Sequence, residues 1–436
     1  MSLELKIEKM IYGGDGLARM PADKTGRSKT VFIPFVLDGE QVSATVVEQK
    51  SGFDRAEAAR IVTASPHRVE PQCPYFYRCG GCHYQHSDYE HQLAIKAGIL
   101  RETLQRTARI NFPGEIRIHA SPPWNYRNRT RMHVQMPEFA LGYYKANSRT
   151  LLPVDQCPIS SPLINRAIKE VWALGRQGLF PATTREIEFF ANSEDTELLL
   201  EVYSTYEPET STQDELAHFA EAIAQAMPEV KGTCAFATGS SLFPWDSAAW
   251  SHGETNLRYL TAFGSYRVQA GSFFQTNRFL ADKLVDIVAQ GVGGDLALDL
   301  YAGTGLFAVP LAKSFERVIA VESSPASFAD LQINAPANVE PEKLTTEEFL
   351  RKHHAALKPE LVVLDPPRAG LDEKVTAMLA RMAPDRITYV SCDPATLARD
   401  LRVLLDHGYA VVEVHLVDLF PQTYHLESVI KLKHLE

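Results

Sequence analysis

Apolar and polar positions alternate in short runs through residues 1–63. Val42-Ser43-Ala44-Thr45-Val46-Val47 is one such run, and turn signals at Gly13-Gly14-Asp15-Gly16 and Asp38-Gly39 bound it and its neighbours. The pattern predicts a small β domain, and a closed five-stranded barrel fits its length. A Pro-bearing linker follows at residues 64–71. Over residues 89–107, Leu93, Ile95, Ala97, Leu100 and Leu104 recur at helical spacing. Strand-like pieces such as residues 196–202 lie among mixed patterns further on, so residues 64–262 are expected to form a central α+β domain. From Phe273 the texture changes. Apolar strand candidates at 296–300, 317–322, 361–365, 386–391 and 410–417 alternate with amphipathic stretches. That alternation predicts a parallel sheet with helices on both faces over residues 263–436, an α/β, Rossmann-like unit. No internal repeat or low-complexity tract interrupts the chain.

Composition narrows the function only a little. Of the 436 residues, 45% are hydrophobic and 22% charged, which excludes large-scale disorder. No apolar run approaches the ~20 residues of a membrane helix. The opening MSLELKIEKM has no apolar segment of the secretory kind. The expectation is a cytoplasmic protein with no membrane association and no obligate protein partner. A net charge of -10 argues against a wholly basic nucleic-acid binder but leaves room for a local patch. Residues 117–149 supply one: Arg127, Arg129, Arg131, Lys145 and Arg149 are interleaved with Trp124, Tyr126, Tyr143 and Tyr144, and Glu138 is the acid among them. Basic side chains meet phosphates and aromatic rings stack on unpaired bases. Arg127 and Arg129 are therefore expected to touch RNA.

The run Ala297-Leu298-Asp299-Leu300-Tyr301-Ala302-Gly303-Thr304-Gly305-Leu306 is a buried strand entering a glycine turn. At the carboxyl edge of a doubly wound sheet such a turn is the ligand crevice. Glu322, about twenty residues on, closes the next strand, where an acid takes ribose hydroxyls. Any Rossmann-like domain has tight turns of this kind. No full G-x-G-x-x-G and no phosphate-loop lysine are present, so nicotinamide and nucleoside triphosphate fall behind.

Three further segments carry reactive groups. Asp365 ends a strand and opens Asp365-Pro366-Pro367-Arg368; Cys392 follows a strand in Ser391-Cys392-Asp393-Pro394; Glu427 stands before the last strand in Tyr424-His425-Leu426-Glu427. This set suits methylation of C5 of uracil. C5 is a poor nucleophile until a thiolate adds at C6, and a base must then remove the C5 proton so that the thiolate leaves. Cys392 is the candidate nucleophile and Glu427 the candidate base; Asp365 would bind the uracil edge or the cofactor. An Asp-Pro-Pro also serves amino-group methyltransferases, which need no cysteine, and a non-catalytic RNA-binding protein is the third reading.

The segments DPPRAGL, SCDPATLARDL and FPQTYHLESV, with Gly271-Ser272-Phe273-Phe274-Gln275-Thr276-Asn277 upstream, closely resemble the RNA uracil-5 methyltransferases. The resemblance implies a class I methyltransferase fold, S-adenosylmethionine as donor, Cys392 as nucleophile and Glu427 as base. It also implies Gln275, Tyr301, Gly303, Gly305, Glu322 and Asp365 around the cofactor and Phe273 at the substrate. Leu306 stands where ribosomal RNA members often carry Asn, Thr345 is the nearest match to the acid that contacts adenine, and Asp393 replaces a common Asn.

Cys73, Cys79 and Cys82 form C-x5-C-x2-C, and Cys157 is a distant fourth. Thiolates in this number suit zinc or an iron–sulfur cluster, and the residues alone leave both open. The spacing resembles the family branch that carries a four-iron–four-sulfur cluster, which implies these four cysteines as its ligands. Cys234 is read as core. The segment MIYGGDGLAR resembles a TRAM domain, an OB-like RNA-binding barrel of that branch. Together these features lean towards 23S ribosomal RNA as substrate, with transfer RNA as the alternative.

Overall fold

The computed structural model describes residues 2–22, 24, 26–204, 210–237 and 248–435. The strands Ser2–Met10, Gly16–Arg19, Thr30–Ile33, Gln41–Gln49 and Phe53–Thr63 close a five-stranded barrel. Its alternating pattern turns Ile7, Ala18, Val31, Ile33, Val42 and Ala44 inward.

A seven-stranded sheet follows in the middle of the chain. Its order is Trp250–Gly253, Val230–Ala237, Leu198–Ser204, Thr184–Ala191, Arg129–Gln135, Ala140–Tyr144 and Leu151–Pro153. The helices Pro162–Arg176 and Thr210–Ala226 cover one face, packing Ile168, Val171 and Phe219 on Ile187, Phe189 and Leu200. The other face, with Phe190, Leu199, Cys234 and Phe236, packs against the C-terminal half. Strand Leu198–Ser204 is buried at every position because both faces are covered, and its one charged residue, Glu201, is paired with Arg129.

The C-terminal sheet takes its strands in the order Val339–Glu342, Phe315–Val321, Gly294–Asp299, Leu361–Leu364, Arg386–Ser391, Glu427–His434, Tyr409–Val417 and Arg117–His119. Numbered along residues 294–434, that is third, second, first, fourth, fifth, seventh, sixth. The first five are parallel and the last strand is antiparallel to both neighbours. Strand order reverses beside the first strand, and the crevice opens at the carboxyl ends there. A single helical turn, Ala308–Leu311, follows the glycine turn, with Pro310 inside it.

Residues ahead of the central sheet are built into this layer. Helix Tyr89–Arg106 buries Ile95, Ile99, Leu100 and Leu104 in the core formed by Leu397, Leu401 and Leu416, and Met10 and Leu37 of the barrel join the same cluster. Strand Arg117–His119 extends the sheet beyond Tyr409–Val417. Among the described residues, no helix is long and apolar enough to cross a membrane.

Candidate active site

Each reactive group sits where a strand of the C-terminal sheet stops. Strand Gly294–Asp299 runs into the turn at Gly303 (φ 55°) and Gly305 (φ 96°), a left-handed conformation that glycine adopts without strain. Glu322, just past strand Phe315–Val321, accepts from Gly303 N at 2.8 Å and Ser324 N at 2.6 Å. It fixes the turn and keeps lone pairs for a ligand. Asp365 follows Leu361–Leu364, and Cys392 follows Arg386–Ser391. Glu427 differs from expectation: it is the first residue of the last strand rather than part of the loop before it.

These groups share one cavity of about 670 Å³. Gln275, Tyr301, Gly303, Glu322, Asp365, Cys392 and Glu427 all line it, together with Phe273. Phe273 is 62% exposed, so its ring is available to a base. Gly305 is not in the wall; it lies behind the turn, where a side chain would press on Leu331. A second cavity of about 330 Å³ adjoins at Tyr301 and Glu322 and is bordered by Leu344, Thr345, Thr346 and Glu347. The Thr345 side chain caps helix Thr346–His353, accepting from Glu348 N.

The electrostatics are dominated by buried acids. Burial pushes the Asp365 carboxyl up to about 7. Glu427 is raised well above the usual carboxylate range by burial and by Asp365. Asp299, fully buried without a well-formed hydrogen bond to either carboxyl oxygen, is pushed up to about 8 by burial, Asp365 and Glu322. Burial, Glu427 and Asp365 together push the Cys392 thiol up to about 12; Arg368 acts in the opposite sense. The cavity is thus built to accept positive charge.

The loop leading to Glu427 is clamped from outside the C-terminal half. Fully buried Lys96 bonds Asp418 at 2.5 Å and the Phe420 carbonyl at 2.9 Å. Tyr126 donates to the Pro421 carbonyl and Gln92 to the Gln422 side chain. Tyr12, Tyr424, His425 and Arg368 gather beside Cys392, and burial pushes His425 down to about 3. Sequence reasoning assigned none of Lys96, Tyr12, Tyr424 or Arg368; of these, Arg368 carried a signal, by its place in Asp365-Pro366-Pro367-Arg368.

The expected basic RNA surface is corrected in part. Arg129 is buried, paired with Glu188 and, at 2.8 Å, Glu201, and bonded to the Ser272 carbonyl. Its charge is neutralised internally and does not face RNA; it holds the segment that presents Phe273. Tyr126 is likewise buried, and Arg131 is tied to Glu188 and Tyr203. Arg127 lines a different cavity, of about 340 Å³, whose wall includes Cys73, Cys79, Cys82 and Cys157 together with His425. Among the described residues, no three His, Cys, Asp or Glu side chains stand ready to hold a single metal ion. Cys234 is buried in strand Val230–Ala237.

The reversal of strand order, the glycine turn with its acid and the deep cavity beyond it define a class I methyltransferase, whose methyl donor is S-adenosylmethionine. The structure is similar to that of the tRNA (uracil-54, C5)-methyltransferase of Pyrococcus abyssi in complex with S-adenosyl-L-homocysteine, with a TM-score of 0.74, 24% identity, and coverage of 99% of this chain and 100% of that one. Residues 254–435 match the family described as tRNA (Uracil-5-)-methyltransferase. An uncharacterized RNA methyltransferase of Aquifex aeolicus is 32% identical over 450 residues, spanning 99% of this chain and 98% of that protein. One from Halalkalibacterium halodurans is 31% identical over 456 residues, spanning 99% and 96%. The chain belongs to the RNA (uracil-5-)-methyltransferase family and is an S-adenosylmethionine-dependent enzyme.

Proposed function

We propose that this enzyme methylates C5 of a uridine through a covalent adduct between Cys392 and C6, resolved by Glu427, and that its substrate is 23S ribosomal RNA. The observation that carries the chemistry is that Cys392, Glu427 and Asp365 line the same cavity as the glycine turn at Gly303. Bound S-adenosylmethionine supplies an electrophilic methyl group on a positively charged sulfur. Gln275, Tyr301, Gly303 and Glu322 hold its ribose and amino-acid portions, Gly305 shapes the turn from behind, and Leu344 to Glu347 border the adenine side. The buried acids Asp365 and Glu427 in the cavity suit that cation.

The uracil ring stacks on Phe273. The Cys392 thiolate adds to C6 and leaves an enolate with electron density at C5, which would take the sulfonium methyl group as the donor's S–CH3 bond breaks and its electron pair stays on sulfur, leaving a neutral thioether. The adduct then carries a proton and a methyl group on C5. Glu427 removes that proton, the electron pair restores the C5–C6 double bond, and the C6–S bond breaks to return the thiolate. Asp365 holds the uracil edge. Glu427 and Asp365, both raised by burial and near each other, share protons at neutral pH, which poises one of them as a base.

The four cysteines line one cavity, and four thiolates suit a four-iron–four-sulfur cluster. They would hold it through four thiolates, and the chemistry above assigns it no step. Arg127, at the rim of that cavity, remains an RNA contact in this reading. The barrel and cysteine segment lean towards ribosomal RNA. The full-length likeness to an archaeal transfer RNA enzyme favours a transfer RNA uridine as the second reading. Mapping 5-methyluridine in ribosomal and transfer RNA from a deletion strain tests the target: loss from 23S ribosomal RNA is expected, loss from transfer RNA alone selects the second reading, and no loss from either rejects both.

A further inference from the structure

A hydroxyl of the N-terminal barrel reaches the backbone of Cys392. Tyr12 lies between the strands Ser2–Met10 and Gly16–Arg19, at the entrance to the turn Gly13-Gly14-Asp15. Its hydroxyl donates to the Cys392 carbonyl over a long 3.3 Å and stands beside the Arg368 guanidinium, whose charge it favours. Its ring meets Tyr424 edge to face, with centroids 5.4 Å apart. Tyr424 also stands beside Arg368 and packs edge-on against His83. One barrel side chain therefore joins three loops: the one after Leu361–Leu364, the one carrying Cys392 and the one leading to Glu427.

The docking is built in rather than incidental. Gly14 has φ 95°, and a side chain there would stand 3.0 Å from His83, so the turn needs glycine to come this close. Met10 and Leu37 share a core with the C-terminal sheet, and Lys9 is paired with Glu102 of helix Tyr89–Arg106. The barrel is fixed on the catalytic half.

Cys392 needs such help. Two acids and burial oppose its ionisation, and Arg368 is the cation working against them. An arginine side chain has several rotamers, and its field at the thiol depends on which one it keeps. Two phenol oxygens, of Tyr12 and Tyr424, stand beside it.

We propose that Tyr12 is a positioning residue for Cys392, fixing the Cys392 backbone and the Arg368 guanidinium to each other through a single hydroxyl. This makes the barrel a working part of the catalytic centre, in addition to any contact it makes with RNA. It rests on the reading of Cys392 as nucleophile.

Tyr12→Phe keeps the ring and its contact with Tyr424 and deletes only the hydroxyl. In the full-length holoenzyme, the pH midpoint of Cys392 alkylation by iodoacetamide, followed by peptide mass spectrometry, should move upward. Single-turnover methyl transfer to unmodified ribosomal and transfer RNA transcripts should fall about five- to tenfold at fixed pH, the value of one hydrogen bond. KM for RNA and the melting temperature should stay at the wild-type values. An unchanged midpoint and rate overturns the proposal. So does a raised KM with an unchanged alkylation profile, which would make Tyr12 an RNA contact, or a lowered melting temperature, which would make it structural. Methylation by Cys392→Ala fails the nucleophile reading itself and the proposal with it, whatever Tyr12→Phe does.

Discussion

Cys392 and Glu427 continue one antiparallel register. Ser391 pairs with Ser428 across adjacent strands, so the residue after one and the residue before the other stand side by side at the mouth of the cavity. The Ser428 hydroxyl donates to the Ser391 carbonyl at 3.3 Å and stitches the pair beneath them. In the proposed mechanism this register brings nucleophile and base to the two ends of one C5–C6 bond.

Glu427→Gln should separate methyl transfer from release. The amide cannot take the C5 proton, so turnover should drop by about 10²–10⁴-fold, the usual loss of a general base. Protein–RNA adduct should accumulate in the presence of donor and survive denaturing electrophoresis. Wild-type turnover by this variant would assign the proton to another group.

The pH dependence follows from the direction of the shifts. Cys392 and Glu427 both act deprotonated, and both are raised, the first to about 12 and the second well above its usual range. Single-turnover rate should therefore climb with pH from about 6 to about 9, with apparent values that belong to the Glu427–Asp365 pair rather than to either acid. A rate that is flat or falls over that span contradicts the assignment.

Stability should run the other way. Asp299, Asp365 and Glu427 bind protons more tightly folded than unfolded. The stability they lend is complete below about pH 4 and is lost as pH rises through the folded values near 7 and 8. The ligand-free protein should melt lower at pH 8 than at pH 6. Asp299→Asn removes part of that loss and should raise the melting temperature at pH 8 by about 2 °C or more. Equal or lower melting of the variant at pH 8 would refute the burial argument.

Much of this site was legible because parallel strands end in chemistry. The apolar runs before Glu322, Asp365 and Cys392 marked strands whose carboxyl ends meet at one edge, and the glycines at 303 and 305 marked the turn between them. Arg129 was not legible. A basic stretch with interleaved aromatics looks like an RNA-binding surface until Glu188 and Glu201, distant in sequence, arrive from neighbouring strands to bury it. The same holds for Tyr12 and Lys96. Their partners Cys392 and Asp418 lie more than three hundred residues away, and nothing local to either residue points there. Strand Arg117–His119 was hidden because three residues carry too little pattern to show which sheet they join.

Arg129→Ala tests that correction. Removing it leaves Glu201 buried without its cation and Glu188 with Arg131 alone, which should cost about 3–5 kcal/mol of stability. The salt dependence of RNA binding by the folded fraction should not change, because the guanidinium does not meet phosphate. A shallower salt slope with unaltered stability would return Arg129 to the RNA interface.

The most direct test of the account uses RNA transcripts in which uridine is replaced by 5-fluorouridine. Fluorine at C5 cannot be removed as a proton, so a bond from Cys392 to C6 should persist once the methyl group is in place. With donor present, the enzyme should form a denaturation-resistant complex whose crosslinked peptide contains Cys392, and Cys392→Ala should form none. Methylation of ordinary RNA without any such complex on the fluorinated transcript, or a crosslink at another residue, would contradict the claim.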